Sequence, residues 1–299
     1  MTATDATSGV LPADRTDGLA ARLVRFVTKS PIHVALGIVG LIWLVPTIGL
    51  LITSFRPRSD IQATGWWETL FSFRFTLDNY EQVLTGQGGM GQAFVNSIII
   101  AVPSTLLPLT IGALAAYALS WTSLPHKDLL FMFVVAFMLV PVQVAFIPVL
   151  KLFAPFGILQ GFLPIWLAHT AFALPFGIFL MRNFFILLPK DLIEASRMDG
   201  AGEWTIFRRV VVPLSVPAIA AYGIFQFLWV WNDLLMSLVF VQKASNNPMT
   251  RQLSALLGQY GSEWNLLAAG AFLLMIVPLL VFFSLQRYFV QGLLAGSVK

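Results

Sequence analysis

Of 299 residues, 58% are hydrophobic and 11% charged, against roughly 45–50% and about 25% in globular chains, so an ordinary soluble domain is excluded and the solvent is lipid. The formal charge of +4 does not point to nucleic acid, because the basic residues lie scattered between apolar runs instead of gathering on one polar face. Cysteine is absent, which excludes disulfides, thiolate metal sites and cysteine nucleophiles.

A charged side chain costs about 2.5–3.5 kcal/mol at the centre of a membrane helix, so uncharged stretches mark the spans. Residues 1–30 are polar and carry Arg15, Arg22, Arg25 and Lys29. The apolar stretch behind them is too long for a signal-peptide core and lacks a small-residue cleavage site. A retained first helix is therefore expected over 33–53. The loop from Ser54 to Gln92 holds Trp66, Trp67, Phe71, Phe73 and Phe75, rings suited to the membrane surface. The glycine-rich turn Gly86 to Gly91 places the second span at 94–120. The third, 129–150, is fenced by Asp128 and Lys151, and the rest are expected at 163–182, 212–232 and 265–286. Each is close to the roughly 20 residues that a crossing needs.

Two later loops are long enough to carry a function, Arg182 to Pro213 and the Asn-, Gln- and Gly-rich stretch Asp233 to Glu263. Counting Lys and Arg in alternate loops gives 12 on the side of the N-terminus and 6 on the other, which puts both termini in the cytoplasm. Prolines fall inside the expected spans, at Pro46, Pro103, Pro108, Pro141, Pro148, Pro164, Pro175 and Pro278. In lipid the carbonyls they free must be satisfied by neighbouring helices or water, which suits a bundle around a cavity. Their number equally fits the general abundance of proline in membrane helices.

The segment 188–214 reads LPKDLIEASRMDGAGEWTIFRRVVVPL. Pro189 can open a helix, Asp191 suits its positive end, and Gly200 supplies a stop. A second short helix is expected from Gly202 or Glu203 through Arg208, ending before Pro213. The result is a helix-turn-helix.

Here the chain resembles the permease subunits of ATP-binding-cassette importers. Glu194, Ala195, Ser196, then Asp199, Gly200, Ala201, and finally Pro213 and Leu214 are similar to that family's EAA loop, Ser196 standing for its second alanine. WVWNDLLMSL at 229–238, QRYFVQGLLAGSVK at 286–299, FTLDNY at 75–80, and Phe94, Asn96 and Ser97 narrow the resemblance to carbohydrate permeases of the maltose-type G subunit kind.

The resemblance implies an all-α, polytopic protein of the cell (inner or cytoplasmic) membrane. It would have six transmembrane helices, a cytoplasmic coupling loop at 188–214 and both termini cytoplasmic. A cytoplasmic segment 1–30, a permease domain 31–292 and a tail 293–299 would follow one another.

It also implies that the short helix docks on a separate ATPase dimer. Small Ala195, Ser196, Gly200 and Ala201 would allow close approach, and Glu194, Arg197 and Asp199 directed charged hydrogen bonds. The competing reading is an amphipathic helix lying on lipid headgroups. The tail residues Gly296, Ser297 and Lys299 are either a second ATPase contact or a frayed end. A second permease of different sequence, an extracytoplasmic sugar-binding protein and membrane lipid complete the implied partners.

No GxxxxGK[ST] loop occurs, so no cofactor is expected in this chain, with ATP and Mg on the partner ATPase. His33, His126 and His169 lack metal-ligand spacing, and no metal is expected. His169 lies within an apolar span, where it either touches a polar solute or bonds a neighbouring carbonyl. Buried sugar hydroxyls need polar partners, and aromatic faces cover the ring. Asn96, Gln143, Tyr222, Gln226, Trp229, Trp231, Asn232 and Asp233 are candidates. Tyr222, Gln226 and Trp229 share one helix face, which lines a pathway or forms an ordinary helix interface.

The expected function is transport of a carbohydrate, an oligosaccharide or glucoside, by alternating access without enzymatic activity in this chain. An ion-coupled secondary transporter is the alternative, but it needs titratable groups near mid-membrane, and the spans hold almost none. A membrane-bound enzyme would need a clustered nucleophile, base or metal site, and none can be assembled.

Overall fold

The computed structural model describes residues 19–86, 89–259 and 264–295, and among these no strand occurs. The chain divides into two units, residues 1–50 and 51–299. The first holds most of helix α1 (Leu19–Ser54), whose stretch Pro31–Ser54 is long and apolar enough to cross a bilayer.

The second unit opens with a loop of short helices, α2 (Arg58–Ala63), α3 (Thr69–Ser72) and α4 (Asp78–Thr85). Its polar groups close on one another. The guanidinium of Arg56, 2% exposed, donates to the carbonyls of Asp60 (2.9 Å) and Thr64 (3.2 Å). Asn79 donates to the carbonyls of Ser54 and Arg56, both at 2.9 Å, and accepts from Asn265 at 2.8 Å. Trp67, Phe71, Phe73 and Phe75 are exposed, as rings intended for an interface would be.

Next come α5 (Met90–Trp121), α6 (Lys127–Ala136), α7 (Val142–Phe153) and α8 (Leu163–Phe185). A compact group follows, α9 (Lys190–Met198), α10 (Glu203–Ile206), a π-helical turn at Phe207–Val211, and α11 (Val212–Leu214). The remaining helices are α12 (Val216–Asn232), α13 (Leu235–Phe240), α14 (Met249–Gln259) and α15 (Trp264–Ala295).

Side-chain bonds fix the directions. The Trp166 indole donates to the carbonyl of Ile99, and the Trp121 indole to that of Phe185. The starts of α5 and α8 therefore lie together, as do their ends, and the two helices are parallel. The chain must cross back between them. It does so through α6 and α7, for α6 begins beside the end of α8, where Arg182 pairs with Asp128 at 2.8 Å.

The expected span 129–150 is thus not one straight helix but two, bent by 103° at Val140 and Pro141. Pro141 lacks an N–H and pushes the residue before it into extended backbone, where Val140 has ψ 119°. The fifth span is broken likewise, by 77° at Ser215. There Pro217 has no N–H to offer the carbonyl of Pro213. The second short helix also does not end before Pro213, since the π turn and α11 carry it to Leu214. The second span begins earlier than expected, at Met90 after a left-handed Gly89.

Three prolines inside straight helices show how the rest stay whole. Pro103, Pro108 and Pro278 leave the carbonyls of Ile99, Ser104 and Leu274 without their helical donors. Those oxygens accept instead from Trp166 (2.9 Å), Gln226 (3.2 Å) and Trp231 (2.9 Å) of neighbouring helices. In lipid such substitution is what makes a proline tolerable. Among the described residues, no side-chain donor reaches the corresponding carbonyls of Pro148 and Pro175.

The bundle core is close-packed. A Cβ at Gly177 would stand 2.5 Å from Cζ of Tyr222, and one at Gly112 would stand 2.8 Å from the Met181 methyl. Small residues here let α5, α8 and α12 approach closely.

Candidate functional site

The helix-turn-helix forms as the sequence suggests. Pro189 precedes α9, Asp191 lies in its first turn and Arg197 in its last, each complementing the helix dipole. Gly200 is left-handed, with φ 81°. The N–H of Gly200 donates to the Arg197 carbonyl and that of Ala201 to the Ser196 carbonyl, both at 3.0 Å. This pair of bonds is the Schellman closure, which needs φ > 0 at the glycine. The turn is therefore fixed, and α10 starts at a defined angle.

One face of this elbow is anchored. Ile193 on α9, Ile206 on α10 and Val211 are fully buried against Met181, Phe185, Tyr117 and Phe207. The opposite face is open: Glu194, Ala195, Asp199 and Gly200 are exposed, and Ser196 and Ala201 half-buried. Ser196 donates back to the Leu192 carbonyl at 2.7 Å, which leaves a small, smooth surface at that position. Met198 is 84% exposed and Trp204 63%. Sequence reading did not single out these two, although Met198 lies among the EAA-loop residues and Trp204 lies in the first turn of α10.

Arg197 departs from its neighbours. Its Nε donates to Oε1 of Glu203 at 3.2 Å, and a terminal nitrogen donates to the Trp121 carbonyl at 2.6 Å. Oε2 of Glu203 in turn accepts from the Tyr117 hydroxyl at 2.5 Å. Arg197 is thus committed within the chain, whereas Glu194 and Asp199 point to solvent without an ion pair among the described residues. Glu203 was expected only as a start of the second short helix, and Tyr117 and Trp121 joined the site unannounced, because they lie 80 and 76 residues from Arg197 along the chain.

The expected pathway residues scatter. A cavity of about 60 Å³ is lined by His169, Phe172, Phe176, Phe225, Gln226 and Trp229, among others. It brings three of the candidates together on α8 and α12. At roughly 10–15 Å³ of such volume per water, it holds a few waters and no sugar ring. His169 also borders a second, smaller cavity with Trp231 and Asp233. Its imidazole makes no hydrogen bond to another described residue, so the neighbouring-carbonyl alternative is not what is seen.

Tyr222 is fully buried and donates to the Ala173 carbonyl at 3.0 Å. Gln226 spends its amide N–H on Ser104. Asn96 donates to the carbonyls of Ser245 and Asn247, at 2.8 and 3.0 Å, and is a fastener for the loop 233–249. Asn232 is exposed and bonds its own helix at Leu228. Trp231 caps Leu274, Gln143 is exposed, and Asp233 accepts from the Met236 N–H at 2.8 Å. The tail residues Gly296, Ser297 and Lys299 lie outside the described residues. Among the described residues no group of three His, Asp or Glu side chains is placed to hold a metal.

Residues 108–294 match the family model described as binding-protein-dependent transport system inner membrane component. The chain is 51% identical to the osmoprotective compounds uptake permease protein GgtD of Synechocystis sp., covering 98% of this chain and 99% of that protein. It is 48% identical to the alpha-glucoside transport system permease protein AglG of Rhizobium meliloti, over 76% of this chain and 61% of that one. Among solved structures it superposes on a chain of a bacterial ABC transporter involved in the import of the acidic polysaccharide alginate. The TM-score is 0.72 at 23% identity, covering 91% of this chain and 98% of that one, a likeness of fold.

Proposed function

The chain belongs to the binding-protein-dependent transport system inner membrane components, multi-pass permease subunits of ATP-binding-cassette importers. From that premise we propose that it carries a neutral carbohydrate, an oligosaccharide or glucoside, inward, driven by a separate ATPase dimer gripping the α9–α10 elbow. As a permease subunit it is not an enzyme. ATP and Mg would be held by the partner. A binding protein would deliver cargo from the opposite side, and a second permease of different sequence would complete the pathway.

The observation that carries the coupling role is the elbow itself. It is rigid, because the Schellman turn and the buried Ile193 and Ile206 hold it. It is also open, because Glu194, Ala195, Met198, Asp199 and Trp204 face away from the chain. Apolar anchors ringed by charged groups suit a protein groove, where aromatic and Met side chains dominate contact energy. A lipid surface would instead select a continuous apolar face with Lys and Arg beside it. The 12-to-6 distribution of Lys and Arg supports a cytoplasmic elbow.

A carbohydrate cargo is supported by the name of AglG and by the cavity lining. Phe172, Phe176, Phe225 and Trp229 offer ring faces, His169 and Gln226 offer polar groups, and among the described residues no charged side chain lines the cavity. The cavity is too small for a sugar as it stands, so these side chains would meet cargo only as part of a wider pathway completed by the second permease. The ion-coupled alternative gains nothing from the family match.

The test is Glu194→Lys in the reconstituted importer. The variant is expected to insert and fold normally, since Glu194 is exposed, and to lose substrate-stimulated ATP hydrolysis. Unchanged stimulation would count against the coupling role.

A further inference from the structure

The contacts around Glu203 go beyond docking. Three helices meet at this carboxylate: its own α10, α9 through Arg197, and α5 through Tyr117, whose hydroxyl donates to it. Arg197 reaches past Glu203 to the terminal carbonyl of α5 at Trp121, and the Trp121 indole reaches the last carbonyl of α8 at Phe185. By chain connectivity the elbow is joined only to α8 and α12. The clasp joins it to α5 as well.

As a source of stability this arrangement is minor. The Arg197–Glu203 pair is 39% and 51% exposed, and exposed pairs contribute about 0–1 kcal/mol. Burial of Ile193 and Ile206 already holds the elbow to the bundle. Those apolar contacts are not directional. Hydrogen bonds to a bidentate carboxylate and to a helix-terminal carbonyl add a defined relative orientation.

We propose that Arg197, Glu203 and Tyr117 are positioning residues that keep the elbow and the end of α5 a single rigid body throughout the transport cycle. Motion at the elbow then enters the bundle through α5, the helix that packs against both α8 and α12. This inference rests on the coupling role proposed above, and assigns Arg197 to the interior of the lever instead of to the ATPase surface.

The experiment measures substrate transported per ATP hydrolysed in proteoliposomes of the full complex. Tyr117→Phe keeps the buried ring and removes the hydroxyl. Glu203→Gln, on a half-exposed residue, is the companion should the first variant fold poorly. Both are expected to co-purify with the ATPase and hydrolyse ATP, while the transport ratio falls roughly tenfold, within the usual range of coupling energies. The double variant is expected to fall no further than the single ones, because one clasp is broken in each.

The chain has no cysteine, so Tyr117→Cys with Glu203→Cys supplies its only thiol pair for a short bifunctional reagent, the unsubstituted complex treated alike being the control for thiols on other subunits. The joined protein is expected to regain transport. An unchanged ratio in the single variants, or transport stopped by the bridge, would overturn the proposal. Failure of the docking role itself would show differently, as loss of cross-linking between Ala195→Cys and the ATPase in the otherwise unsubstituted protein.

Discussion

The indole N–H of Trp231 donates to the carbonyl of Leu274 at 2.9 Å, the oxygen that Pro278 leaves without its helical donor. A buried carbonyl without a partner costs about 1–3 kcal/mol. Trp231→Phe keeps an aromatic ring against Phe227 and Phe94 and is expected to destabilise the protein by about 1–3 kcal/mol in detergent unfolding. Adding Pro278→Ala, which restores the helical donor, is expected to recover most of that loss. No recovery would mean that ring packing, and not the carbonyl, sets the cost.

The same logic separates structure from transport at Gln226. Its N–H answers Ser104, left open by Pro108, while its side chain also borders the cavity. Gln226→Leu is expected to lower stability by about 1–2 kcal/mol, and Pro108→Ala in the same chain to restore it. Any transport defect that survives in the restored double variant measures the contribution of Gln226 to the pathway.

Asn79 joins the carbonyls of Ser54 and Arg56 to the Asn265 amide. Asn79→Ala leaves these buried groups unanswered and is expected to cost roughly 3 kcal/mol, near one for each bond lost. Asn79→Asp keeps only the bond from Asn265, because a carboxylate cannot donate to two carbonyls. Thermal unfolding of both variants is expected to rank alanine and aspartate alike, far below the unsubstituted chain.

Burial raises the carboxyl pKa of Asp233, against the opposing bonds from the Met236 and Ser237 N–H groups. A raised folded value means that the folded state holds its proton more tightly than the unfolded one. Stability is then highest below the ordinary carboxylate range and declines as pH rises through the raised value. Asp233→Asn keeps an acceptor for Met236 and removes this decline. Melting temperatures from about pH 4 to 8 are expected to slope less in the variant over that window.

Much of this was legible in the chain. Charge gaps marked the long apolar helices at Pro31–Ser54, Met90–Trp121, Leu163–Phe185 and Trp264–Gln286, and Pro189, Asp191 and Gly200 outlined the elbow, because capping and φ > 0 are local demands. The partners of freed carbonyls were not legible, since Ile99 and Trp166 are 67 residues apart and Ser104 and Gln226 are 122 apart. Hence polar residues within spans read as pathway candidates when several were fasteners. Asn96 answers carbonyls 149 and 151 residues away, and only the fold brings them together. Prolines also looked alike in sequence, yet Pro141 breaks its span while Pro103, Pro108 and Pro278 lie in continuous helices that a neighbour's donor supports.

The central claim is that the α9–α10 elbow faces the cytoplasm and holds a separate ATPase. A single cysteine at Ala195, exposed beside Glu194 and Met198, tests it in a chain with no other thiol. The account predicts that in intact cells this thiol resists a membrane-impermeant maleimide, and that in the assembled complex it cross-links to the ATPase. Labelling from outside, or a thiol free of any partner in the assembled complex, would contradict it.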